Sequence, residues 1–171
     1  MGINVSMAQF RHPEFLAVLD KAIEDTSVDP QSIEIEVTES VAMIDRIAVN
    51  KILSAIASRG IKIAIDDFGT GFSSLSYLEK LEVHRLKIDK SFIDKLQGPS
   101  ADPRLAEMIV NLAKDLNLEV IAEGVELEEQ AEWLKKINCD EAQGYYYARP
   151  LEEPRLIEWL KEQEHRLASE K

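Results

Sequence analysis

Two aspartates, Asp66 and Asp67, stand side by side at the end of the apolar run IKIAI and just before Gly69-Thr70-Gly71. Like charges this close repel, and they are hard to bury after a β-branched strand, so the pair calls for a counter-charge. Divalent cations between and beside them would supply it. A bridging carboxylate of this kind is what a two-metal centre with ions about 3.5–4 Å apart requires. The glycines would let the following loop turn tightly over such a site. Other residues with usable chemistry recur where apolar strand-like runs end: Asn4, Glu36 with Glu39, Lys87 with Asp89, Glu123 with Glu126, and Gln143. One acid at a strand end is as readily a helix cap, and Asp89, ahead of KSFIDKL, fits a cap better than a ligand. Several strands ending alike make a constellation. Hard oxygen donors suit Mg²⁺ or Mn²⁺ rather than zinc, since Cys139 is the single cysteine and His12, His84 and His165 share no ligand spacing.

The elements that must position these residues alternate between short strands and amphipathic helices. GINVS reads as a strand and HPEFLAVLDKAIEDT as a helix. IEIEVTES alternates as a strand should, and DRIAVNKILSAIASRG reads as a helix with Asp45 as N-cap and Gly60 as its stop. LSYLEKL is a short helix, RLKID a strand and SFIDKL a helical turn. DPRLAEMIVNLAKDLN starts with Asp102 as N-cap and Pro103 at the first helical position. LEVIAEGVE is a strand, LEEQAEWLKKIN a helix, EAQGYYYARP a last strand and EEPRLIEWLKEQEHRL the final helix. Trp133 and Trp159 read as packing residues, and Tyr145 to Tyr147 as strand and core filling. Lys87 alone could be a snorkelling surface lysine, but its place between Leu86 and Ile88 favours an inward role.

About six β-α units favour a parallel sheet, open and doubly wound or closed into a barrel. In either architecture the C-terminal strand ends line one mouth, where active sites are built. A complete barrel needs eight strands. INVS begins in mid-strand, so a barrel reading implies that an N-terminal portion is absent.

The 171 residues suffice for one core and show no linker or repeat. A formal net charge of -12 argues against DNA or RNA as partner. It leaves room for an anionic small ligand if a bound cation reverses the local field. A single cysteine fits a reducing compartment, and no apolar run has the length of a membrane span. The expectation is a cytoplasmic protein.

In order and spacing, INVS, IEIEVTES, IAIDDFGTGFSSLSYL, LKIDKSF, VIAEGVE and CDEAQGYYYARP resemble the EAL family of bacterial cyclic-di-GMP phosphodiesterases. The resemblance covers essentially residues 1–171. It implies a modified (β/α)8 TIM-like barrel whose first strand runs antiparallel, here an incomplete barrel of about six β-α units. It also implies two Mg²⁺ or Mn²⁺ ions and hydrolysis of one phosphodiester of cyclic di-GMP to linear pGpG. By the same resemblance Asn4, Glu36, Asp66, Asp67 and Glu123 would ligate the metals directly or through water. Lys87 would hold and help activate the attacking water, and Gln143 would orient the water–metal network. Glu39 would anchor the DDFGTG loop, which in the family couples the site to dimerisation, and Glu126 would lie near the substrate guanine or the loop supporting it.

The sequence departs from that family in one respect: it contains no Glu-Ala-Leu tripeptide, whose glutamate is a metal ligand in the family. The expectations are that this chain is the C-terminal portion of the domain, binds the first metal weakly and hydrolyses poorly. The alternative is a non-catalytic module that binds cyclic di-GMP or a protein. Open barrel edges and the DDFGTG region would favour a homodimer or other self-association.

Overall fold

The computed structural model describes residues 1–44, 46–71 and 75–169. Six strands form one parallel sheet: β1 (Gly2–Asn4), β2 (Glu34–Thr38), β3 (Lys62–Phe68), β4 (Arg85–Ile88), β5 (Glu119–Ala122) and β6 (Glu141–Ala142). Their spatial order is their chain order. Between them run α1 (Met7–Phe10), α2 (Phe15–Thr26), α3 (Glu39–Ile44), α4 (Arg46–Ala57), α5 (Leu75–Leu78), α6 (Lys90–Ile93), α7 (Arg104–Asp115) and α8 (Glu128–Lys136), and α9 (Glu153–Ser169) follows β6. The alternation of strand and helix expected from the sequence is the fold.

The two faces of the sheet differ in chemistry. On the helix side Ile35, Val37, Ile63, Ile65, Leu86, Ile88 and Val120 pack with Leu53, Ile56, Ile109, Val110 and Leu134 in one buried cluster. Each fully buried Leu or Ile there contributes about 1.5–3 kcal/mol. The period of two then turns Glu34, Glu36 and Thr38 of β2, and Arg85 and Lys87 of β4, to the other face. Charged residues open β2 to β6 and gather at the N-terminal end of the sheet. There Arg85 lies 2.6 Å from Glu119, 2.8 Å from Glu141 and 3.5 Å from Glu34, and Lys62 lies 3.6 Å from Glu119.

Several local expectations need correction. The last strand is Glu141–Ala142 alone. Beyond it the Tyr146 N–H donates to Val125 O and the Tyr147 N–H to Gly144 O, so the backbone turns away from the sheet. Tyr145, Tyr146 and Tyr147 are consequently exposed, at 53%, 41% and 44%, and fill no core. β5 stops at Ala122, which leaves Glu123 and Glu126 in the loop that follows. α7 starts one residue later than expected, with Pro103 in the N-cap place, although Asp102 Oδ1 still accepts the Arg104 N–H. Asp45 lies outside the described residues. Trp133 packs against the core. Asp89 caps α6 as expected, accepting the Ser91 N–H at 3.0 Å.

Candidate functional site

The paired aspartates owe their placement to a bulge. Along β3, Ile63 and Ile65 face the helices and Ala64 and Asp66 the opposite side, so simple alternation would send Asp67 into the core. Instead the ladder to β4 shifts register between Ile65 and Phe68. Asp67 takes a left-handed backbone, φ 54°, a conformation that Asp tolerates better than most residues. Phe68 then occupies the core position, 4% exposed. The bulge thus puts two consecutive carboxylates at the strand end without burying the second. The Asp67 N–H donates to Asp66 Oδ1 at 3.0 Å.

Lys87 lies at the focus of this face. It is 5% exposed, and its Nζ lies 2.6 Å from Glu36 Oε2, 2.7 Å from Glu123 Oε1 and 3.3 Å from Asp66 Oδ1. Three strands and the loop after β5 deliver these groups. Burial alone would lower the pKa of the Lys87 ammonium, but its hydrogen bonds to Glu123 and Glu36 and the charge of Asp66 hold it well above the ordinary lysine range. Glu123 is pushed up by burial and by the neighbouring Asp66 and Glu36 charges, against the pull of Lys87. Burial, then Asp66 and Asp89, push Asp67 up as well. Gln143 Nε2 donates at 2.6 Å to the same oxygen, Glu123 Oε1, that pairs with Lys87. Asn4 stands beside Glu36 across the β1–β2 ladder.

Glu39 opens α3 with a nearly fully buried side chain, 2% exposed. Its Oε2 accepts the N–H groups of Gly69 and Gly71, at 2.9 and 3.2 Å. Glu126 is set apart from the Lys87 cluster and pairs with Lys90. Lys90 and Glu126 line a cavity of about 560 Å³ at the same mouth, with Gln143, Tyr145, Arg149 and Trp159 among its walls. Lys90, Tyr145 and Arg149 did not emerge as site residues from the sequence. The available signal for Lys90 was its position directly after the Asp89 cap, at a strand's C-terminal end.

Oxygen donors from Asn4, Glu36, Asp66, Asp67, Glu123 and Gln143 fit Mg²⁺ or Mn²⁺ in chemistry. In this conformation no three acidic, His or Cys side chains among the described residues stand in metal-holding geometry. Positive charge at their focus comes from Lys87.

A parallel β-α wall thus gathers acids, a lysine and a glutamine at its C-terminal mouth, where such architectures place their active sites. The EAL domain model matches residues 1–150, and the chain belongs to that family. It is 41% identical over 157 residues to MucR of Pseudomonas aeruginosa, a bifunctional diguanylate cyclase/cyclic di-GMP phosphodiesterase, which covers 92% of this chain and 23% of the relative. It is 40% identical over 163 residues to the signaling protein YkoW of Bacillus subtilis, covering 95% of this chain and 20% of the relative. The chain therefore spans about a fifth of the length of the curated relatives it matches. The structure of the MucR phosphodiesterase in complex with c-di-GMP superposes with a TM-score of 0.86 over 91% of this chain and 63% of that one, at 41% identity. BlrP1 of Klebsiella pneumoniae, solved with manganese and cyclic di-GMP, gives a TM-score of 0.78 at 30% identity over 87% of this chain and 38% of that one. The six-stranded arc is thus part of an EAL-type TIM-like barrel wall.

Proposed function

We propose that this chain carries the metal-dependent site of a cyclic-di-GMP phosphodiesterase and cleaves one phosphodiester to give linear pGpG. The observation that carries the reading is the convergence of Glu36, Asp66 and Glu123 on Lys87 beside the Asp67 bulge. Asn4, Glu36, Asp66, Asp67 and Glu123 would hold two divalent cations. When bound, these cations would polarise the phosphoryl oxygen and lower the pKa of water. Lys87 would hold the attacking water by hydrogen bond and face the charge that develops on the phosphoryl oxygens. Gln143 would keep the Glu123 carboxylate turned towards Lys87. Water would attack phosphorus and release a proton, one P–O ester bond would break, and the departing oxygen would take up a proton from solvent to become the free hydroxyl of the linear dinucleotide. Glu126, with Lys90, would line the approach of one guanine.

A second reading is a nucleotide-binding module without turnover, favoured by the Lys87 ammonium standing at the focus of Glu36, Asp66 and Glu123, where a cation would otherwise sit. Incubation with cyclic di-GMP and excess Mn²⁺, followed by chromatography of pGpG, separates the two. Metal-dependent turnover that disappears in Asp67→Asn supports the enzyme. No turnover by a folded sample that still binds the nucleotide in calorimetry supports the module. Strands β1 and β6 are each paired on one side only among the described residues, and α9 exposes Leu156, Ile157 and Leu160. These features support self-association, which light scattering would register as a mass above the monomer.

A further inference from the structure

The edge strand carries a glycine where the site requires empty space. Gly2 pairs with Glu34 and Asn4 with Glu36 in the β1–β2 ladder, so Gly2 and Asn4 share one face of β1. Gly2 has no left-handed backbone, and nothing in its dihedral angles asks for glycine. Its neighbour does: a Cβ built there would lie 2.0 Å from Glu36 Oε1 and 3.0 Å from Glu36 Cδ. The Glu36 carboxylate therefore rests across the bare α-carbon, one oxygen against β1 and the other on Lys87 Nζ at 2.6 Å.

The geometry points to Gly2 as a positioning residue: its missing side chain lets the Glu36 carboxylate bridge from β1 to Lys87. A methyl group at this place meets the far end of a flexible side chain, not backbone, so the fold can absorb it. The carboxylate is what must move. It would be pushed off β1, away from Asn4 on that strand, and out of its alignment with Lys87. The consequence for metal rests on the reading of Glu36 and Asn4 as ligands given above; the consequence for Lys87 does not.

The test is a double-mutant cycle with two readouts. Mn²⁺ is titrated calorimetrically into the parent chain, Gly2→Ala, Glu36→Asp and the double variant, with thermal melts confirming that each is folded. Gly2→Ala should weaken Mn²⁺ binding about tenfold, as changes to the supports of metal ligands do. In the Glu36→Asp background, whose shorter carboxylate is withdrawn from β1, the same change should cost less than about twofold. Labelling of Lys87 by acetic anhydride, followed by mass spectrometry without metal, should rise severalfold in Gly2→Ala and hardly change between Glu36→Asp and the double variant. Equal effects of Gly2→Ala in both backgrounds, or an unchanged labelling rate, overturn the inference. A parent chain that takes up no Mn²⁺, while Gly2→Ala still raises Lys87 labelling, overturns the metal-site reading and upholds the role of Gly2.

Discussion

Glu39 and Gly71 fit each other closely: the carboxylate accepts the Gly71 N–H at 3.2 Å, and a Cβ on Gly71 would lie 2.7 Å from Glu39 Oε1. The same carboxylate also holds the Gly69 N–H, so one buried side chain ties the start of α3 to the turn that follows Asp67.

Replacing Glu39 with Ala removes the single oxygen, Oε2, that accepts both the Gly69 and the Gly71 N–H. The expected loss is about 1–3 kcal/mol in urea unfolding, the usual result of a buried polar group left without its partner. Gly71→Ala should also destabilise, because the added methyl and the carboxylate compete for one space. Unfolding midpoints equal to the parent would show that Glu39 is no anchor.

Lys87→Met removes the cation at the focus of Glu36, Asp66 and Glu123. Three carboxylates left facing one another should lower stability by about 3 kcal/mol in EDTA, as when one partner of a buried ion pair is deleted. Saturating Mn²⁺ should return part of that loss, and should raise the midpoint more in the variant than in the parent. Urea titrations with and without metal measure both effects.

The left-handed backbone of Asp67 separates two substitutions that both remove its charge. Asp67→Asn keeps a side chain that tolerates this conformation, and its melting curve should match the parent closely. Asp67→Ala should cost up to about 1 kcal/mol, because alanine lacks the short polar side chain whose local hydrogen bonding offsets the strain of a left-handed backbone. Both should abolish metal-dependent formation of pGpG. An alanine variant as stable as the asparagine one would argue against strain at the bulge.

Acid should loosen the charged end of the sheet. The hydrogen bond from Arg85 holds the Glu119 carboxyl below the ordinary carboxylate range. A folded-state pKa below the unfolded one gives stability that is present above about pH 4 and is lost as pH falls through the folded value. The difference in unfolding free energy between the parent and Glu119→Gln should therefore shrink as pH drops from 6 towards 3. A pH-independent difference would place the effect of Glu119 in packing instead of charge.

Much of this was legible in the residues themselves. The strict alternation in IEIEVTES already separated Ile35 and Val37, which are buried, from Glu36, which faces the site. The acids at strand ends fell where a parallel sheet gathers its chemistry. Other features depend on partners distant in sequence. Lys87 and Glu36 are 51 residues apart, and no local pattern reveals that the lysine sits among three carboxylates. Arg85 and Glu119 at their strand starts look like solvated charges until the sheet brings them together. The three tyrosines misled for the opposite reason. Their composition favours a strand, but the ladder ends at Ala142, so aromatic side chains with high strand propensity stay in the open.

The identity of spatial and chain order in the sheet bears on how the molecule is made. Each described strand from β2 onward docks against one that left the ribosome before it. Assembly can then proceed by successive addition while translation continues, with short loop closures at every step. Glu36, Asp66 and Lys87 would come together by the fourth strand, and Glu123 and Gln143 would complete the cluster last.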